Sequence, residues 1–161
     1  MSADPLHGAV IALGSDHAGF ALKQVVIAHL EERGAVTMDL GTHSEEPTDY
    51  PLYCQPVAEA VATGAARFGI VLGGSGQGEQ IVANKVKGVR AALCYNELSA
   101  SLARRHNDAN VLSLGARLLG TELALAIVDA FFAAEFEGGR HVRRLEQISE
   151  VEEGISFVED A

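Results

Sequence analysis

The chain has 161 residues with 12 basic and 22 acidic side chains, a formal net charge of −10, and 48% apolar residues. That length suits one domain with a real core, and that apolar share argues against disorder. An acidic chain without a basic stripe argues against nucleic-acid binding, and no apolar run reaches the ~18 residues of a membrane span.

Short apolar runs alternate with helical patterns. "AVIAL" (Ala9–Leu13) reads as a buried strand. A helix follows, with Leu22, Val25, Val26 and Leu30 on one face and Gly34 as its stop. "VTMDL" (Val36–Leu40) is the second strand, and the polar loop "THSEEPTDYP" leads to a helix carrying Val57, Ala58, Val61 and Ala65. "FGIVL" (Phe68–Leu72) is the third strand, followed by "GGSGQGEQ" and a short helix around "IVANKV". "RAALC" (Arg90–Cys94) precedes a helix through Leu98 and Leu102. "NVLSLG" (Asn110–Gly115) is the fifth strand, and a long helix carries Leu123, Ile127 and Phe131. After "GGR" a last helix starts near Arg140, with Leu145 and Ile148 facing inward. Residues 145–161 hold six acids and no Lys or Arg, which reads as a solvated helix end and an acidic tail over 151–161.

Five continuous apolar strands separated by helices imply a parallel sheet covered on both faces. The expected fold is a doubly wound, Rossmann-like α/β/α domain over residues 1–150. Its ligands bind beyond the carboxyl ends of the strands. The residues that follow those strands concentrate polar groups: Asp16, His17, Asp49, Tyr50, Ser75, Glu79 and Arg117. His106, Asn107 and Asp108 close the fourth helix just before strand five, which puts them at the opposite end of the sheet.

"GGSGQGEQ" (Gly73–Gln80) does not fit the nucleotide loops. A dinucleotide fingerprint would need glycine where Glu79 or Ile81 stands, and a Walker loop would need Lys and Ser/Thr where Glu79 and Gln80 stand. A carboxylate there would repel phosphates. Two readings remain open on the loop alone. One is a tight turn whose acid favours a helix N-terminus. The other is a set of backbone N–H groups, Gly74 to Gly78, around an oxygen that becomes negative, with Glu79 as a general base for proton abstraction beside a carbonyl. Arg140 and Arg144 share one helix face at i, i+4, and with Arg117 they suit a phosphate or are solvated arginines pairing with glutamates. His106 could move a proton. His7, His29, His43 and His141 receive no role. Cys54 and Cys94 have no metal-ligand spacing and fit a reducing compartment. No N-terminal segment resembles a signal peptide, so a cytoplasmic location is expected.

"GSDHAGFALK", "TDYP", "GGSGQGEQIVANK", "RHNDANVLSLGAR" and "RHVRRLEQI" together resemble the ribose-5-phosphate isomerase type B family, its actinobacterial branch most. The wider group includes galactose-6-phosphate and allose-6-phosphate isomerases. The resemblance spans about residues 9–150. It implies interconversion of D-ribose 5-phosphate and D-ribulose 5-phosphate through a cis-enediolate, without metal or organic cofactor. Many relatives use a cysteine that opens the glycine loop as the base; that position is Gly73 here, and in the "GSGxGE" branch the glutamate, Glu79, serves instead. The resemblance further implies that His106 opens the furanose ring with Asp16 assisting. Ser75 and the amides of Gly74, Gly76 and Gly78 would hold the enediolate oxygen. Asn107 would contact sugar hydroxyls, and His17, Arg117, Arg140 and Arg144 would bind phosphate. It also implies a homodimer, or a tetramer, with sites shared between subunits. A six-carbon sugar phosphate is the alternative substrate. A nucleotide-binding α/β module and a catalytically silent subunit are the alternatives outside isomerase chemistry.

Overall fold

The strands form where β-branched and leucine runs sit between polar loops, and each run feeds a helix. In the computed structural model, which describes residues 4–158, the order is β1 (Val10–Ser15), α1 (Phe20–Glu32), β2 (Val36–Asp39), α2 (Pro51–Ala62), β3 (Phe68–Gly73), α3 (Gln77–Ala83), β4 (Ala91–Leu93), α4 (Glu97–Asn107), β5 (Val111–Gly115), α5 (Thr121–Ala133) and α6 (Arg140–Glu152). All strands are parallel, in the order β2-β1-β3-β5-β4. The doubly wound α/β reading holds, with five strands and six helices.

Side chains alternate across the sheet, so each strand feeds two cores. Ile11, Leu13, Ile70, Leu72, Leu112 and Leu114 pack against α1, α4 and α5 through Leu22, Val26, Ala100, Ile127 and Phe131. Ala12, Val71 and Val111 face α2 and α3 through Cys54, Val57, Ala58 and Ala83. This gives three layers around the sheet. The register sets Ser15 beside Leu72 and Gly73 beside Gly115, so the loops leaving β1, β3 and β5 emerge side by side.

Three expectations about helix residues are corrected. Val25, placed on the apolar face of the first helix, and Ile148, expected inward, are 37% and 44% exposed. Ala65, expected in the second helix, lies exposed beyond the end of α2. An apolar stripe fixes a face by periodicity but does not say whether that face meets this chain's core. In α1 the face instead includes Lys23, fully buried, which pairs with Asp39 and donates to Thr42 O at 2.7 Å.

The α4 boundaries are chemically defined. Asn96 Oδ1 accepts from the Ser99 amide at 2.8 Å in a capping box, and Asp108 ends the helix at φ 43°. Asp108 is held there by Arg104, whose Nη1 donates to Oδ1 at 2.7 Å. The acidic end of α6 is not simply solvated: the Gly88 amide donates to Glu152 Oε1 at 3.0 Å, and Lys87 pairs with Glu153. The expected tail boundary at 150 falls inside the last turn of α6, and Glu159 and Asp160 lie outside the described residues. Among the described residues no helix is long and apolar enough to cross a membrane.

Candidate active site

The sheet order reverses between β1 and β3, which opens a crevice at their carboxyl ends. Asp16, Tyr50, Gly74, Ser75, Gly78, Glu79, Arg117 and Leu118 line a cleft of about 350 Å³ there. Six of these eight are expected site residues. A larger hollow of about 580 Å³, around Glu97, Arg105 and Ala130, lies between α4 and α5 and holds no such convergence of loop, acid and hydroxyl.

The glycine loop is anchored by its carbonyls. The Ala116 amide donates to Gly73 O at 2.8 Å and the Arg117 amide to Gly74 O at 3.0 Å. Ser113 Oγ donates to Gly76 O at 2.7 Å. Gly76 has φ 78°, the left-handed region that glycine adopts without strain, and it starts α3. The amides of the first helical turn have no intrahelical partner, so they can serve a ligand.

Glu79 is the third residue of α3 and only 3% exposed. Burial raises its pKa, and the nearby Asp16 carboxylate pushes the same way; the amides of Glu79 itself and of Gly76 pull it down, and the net direction is up. The carboxylate occupies the space beside Gly73: a Cβ on Gly73 would stand 1.6 Å from Glu79 Oε1. Only glycine at 73 leaves room for this placement of Glu79. Tyr50 packs its ring on Gly78, where a Cβ would come within 2.4 Å of Tyr50 Cζ. Arg117 Nη1 similarly lies 3.2 Å from the Cβ position of Gly74.

Asp16 Oδ1 accepts the Gly19 amide at 3.0 Å, which fixes the turn from β1 into α1. His17 Nδ1 lies 3.2 Å from both the amide and the carbonyl of Thr48, so one tautomer accepts from the first and the other donates to the second. His17 adjoins the cleft next to Asp16 without lining it.

His106, Asn107, Arg140 and Arg144 form a second group, at the end of α4 and the start of α6. None of the four lines the cleft. Asn107 instead borders a hollow with Val89, Arg90 and Ile148, beside the amino end of β4. Within the chain the expected site is therefore split between the two ends of the sheet, as the chain order implied.

Tyr50 belongs to the cleft, although the sequence marks it only as a polar residue following a strand; its place in "TDYP" is the available signal. Glu137 carries no signal of its own. It stands beside His106 and His141 only because the α5–α6 connection folds back on α4. Both cysteines are free and buried. Burial pushes the Cys54 thiol up, and the Glu79 and Asp16 carboxylates add to that, so it does not act as a thiolate. His29 pairs with Asp129 at 2.6 Å, away from the cleft.

A parallel α/β domain with a shielded carboxylate under a glycine loop at its switch point, and arginine and histidine at the rim, is built as an enzyme for a small anionic substrate. A family model described as Ribose/Galactose Isomerase matches residues 11–148, and the chain belongs to that family. It is 52% identical over 143 residues to "Ribose-5-phosphate isomerase B" of Escherichia coli, covering 89% of this chain and 96% of the relative. The Clostridium thermocellum ribose-5-phosphate isomerase B structure superposes with a TM-score of 0.90 at 49% identity, covering 91% of this chain and 99% of the other. The Mycoplasma genitalium ribose-5-phosphate isomerase B structure, which has bound ribulose-5-phosphate, superposes with a TM-score of 0.87 at 40% identity, covering 91% and 97%.

Proposed function

We propose that the protein interconverts D-ribose 5-phosphate and D-ribulose 5-phosphate through a cis-enediolate. The observation that carries this reading is Glu79, a buried carboxylate with a raised pKa, set in the space left by Gly73 and beside the loop amides. Glu79 takes the proton from C2 of the open-chain aldose as the electron pair moves onto O1; the O2 proton passes to O1, and Glu79 returns its proton to C1 as the C2–O2 carbonyl forms. Ser75 Oγ and the amides of Gly74, Gly76 and Gly78 hold O1 as its charge develops. The raised pKa suits proton abstraction, because it makes the group a stronger base than an exposed glutamate.

Ring opening precedes this step. His106 gives a proton to O4 as the C1–O4 bond breaks, and Asp16 assists by taking the O1 proton. Asn107 meets sugar hydroxyls, and His17, Arg117, Arg140 and Arg144 hold the phosphate. Because His106 and both helix α6 arginines lie away from the Glu79 cleft in one subunit, the working unit is a homodimer in which each site takes them from the partner. No metal or organic cofactor takes part. Two free, buried cysteines suit a reducing cytoplasm.

The decisive experiment is an isomerase assay with ribose 5-phosphate, allose 6-phosphate and galactose 6-phosphate, metal chelator present. Turnover is expected with ribose 5-phosphate and to exceed that of the six-carbon sugars. Preference for a six-carbon sugar would change the substrate; ATP binding without sugar-phosphate turnover would overturn the isomerase reading.

A further inference from the structure

Where α4 meets α6, two imidazoles share one carboxylate. His106 lies in the last turn of α4, Glu137 in the α5–α6 connection, and His141 is the second residue of α6. The rings of His106 and His141 stack, with centroids 4.3 Å apart and planes 13° apart. Glu137 Oε2 stands 3.7 Å from His106 Nε2 and 3.9 Å from His141 Nε2. The carboxylate is fixed from its other side: Arg105 Nε donates to Oε1 at 2.6 Å, and the Glu137 amide donates to Arg105 O at 3.0 Å.

The three ligand atoms lie within 4.8 Å of one another, a spacing that suggests a metal. The ring geometry argues against one. Lone pairs lie in the imidazole planes, so nearly parallel rings aim them side by side rather than at one point. A different constraint follows from the stack. Two imidazolium rings at this separation would repel, so the stack disfavours a positive charge on both. His141 is the ring that stays neutral. It is 6% exposed, and burial lowers its pKa, followed by His106, Arg140 and Arg144; Glu137 alone opposes. The His106 side chain keeps 32% of its surface, enough for a ligand to reach it.

We propose that His141 and Glu137 are positioning residues for sugar ring opening, His141 as a platform that fixes the plane of His106 and Glu137 as the anchored carboxylate that orients its Nε2 edge. This rests on His106 as the ring-opening group. Neither residue touches the sugar; both act through the imidazole.

The test separates ring opening from proton transfer between carbons. D-erythrose 4-phosphate cannot close a furanose, because the hydroxyl it would need is phosphorylated, yet it presents the same C1–C2 unit. In His141→Ala and Glu137→Gln, kcat with ribose 5-phosphate is expected to fall about tenfold or more, with KM within about twofold. Turnover of erythrose 4-phosphate should stay near the parent value. His141→Phe, which keeps an uncharged ring for the stack, should recover most of the ribose 5-phosphate activity. Unchanged ribose 5-phosphate turnover, an equal loss with both sugars, or a Phe variant as poor as the Ala variant would overturn the proposal. His106→Ala serves as the reference: if it spares ribose 5-phosphate turnover, the ring-opening reading itself fails. If it is selectively impaired while the His141 and Glu137 variants are not, only the positioning role fails.

Discussion

The carboxylate of Glu79 fills the volume that any side chain at Gly73 would need, with only 1.6 Å between Oε1 and the Cβ position. No rotamer of a residue at 73 avoids this, because the Cβ itself collides. A side chain at 73 and this placement of an acid at 79 are mutually exclusive in this backbone.

Gly73→Ala should therefore expel Glu79 from the cleft. Since the backbone at Gly73 is a regular strand end, the fold should survive. We expect kcat to fall about a hundredfold or more, the scale of losing a general base. Steady-state kinetics beside circular dichroism would check this, and an alanine variant with parental kcat would show that the carboxylate does not need its observed position.

Glu79→Gln should inactivate the enzyme and stabilise it at once. The folded-state pKa of Glu79 is raised above its ordinary 4.5, so folding favours the protonated acid. That contribution is fully favourable below the unfolded-state pKa and is lost as pH rises through the folded-state value. At neutral pH the ionised group thus costs stability, and the neutral amide removes that cost. Denaturant midpoints should be higher for the variant at pH 7 and should converge with the parent near pH 4. The same shift sets kinetics: the acid limb of the parent's kcat/KM profile should lie above pH 4.5.

Mixing two inactive variants distinguishes a shared site from a split one. In dimers formed between Glu79→Gln and His106→Ala chains, one site carries both lesions and the other carries neither. After unfolding and refolding an equal mixture, half the dimers are mixed, and activity should recover to about a quarter of the parent. Recovery near zero would mean that each chain supplies its own His106.

Lys23 ties the fold to the site. Its buried ammonium bonds Asp39 at the end of β2 and the Thr42 carbonyl, which begins the loop that carries Tyr50 to the cleft. Burial alone would raise the Asp39 pKa; the Lys23 and Gly41 hydrogen bonds overcome this and hold it below its usual value. Lys23→Met should lose about 1–3 kcal/mol, the scale of leaving the Thr42 carbonyl and the partly exposed Asp39 carboxylate without their donor. Urea titration would measure it, and a loss under about 1 kcal/mol would mean that the pair contributes little.

The strands, their order in the chain and the glycine loop were all readable along the chain, because continuous apolar runs and missing lysine are local properties. So was the membership of Asp16, Ser75, Glu79 and Arg117 in one cleft, since parallel strands bring their carboxyl ends together. Three things were decided only by tertiary structure. Lys23 breaks the apolar pattern of α1 and is buried because Asp39 and Thr42 meet it from elsewhere in the chain. Glu137 reaches His106 and His141 through a backbone connection that no spacing encodes. The exclusion between Gly73 and Glu79 depends on the way α3 turns back over the end of β3, a distance set by packing. Periodicity and composition act through neighbours in sequence, whereas burial, pKa and steric fit depend on which surfaces finally meet.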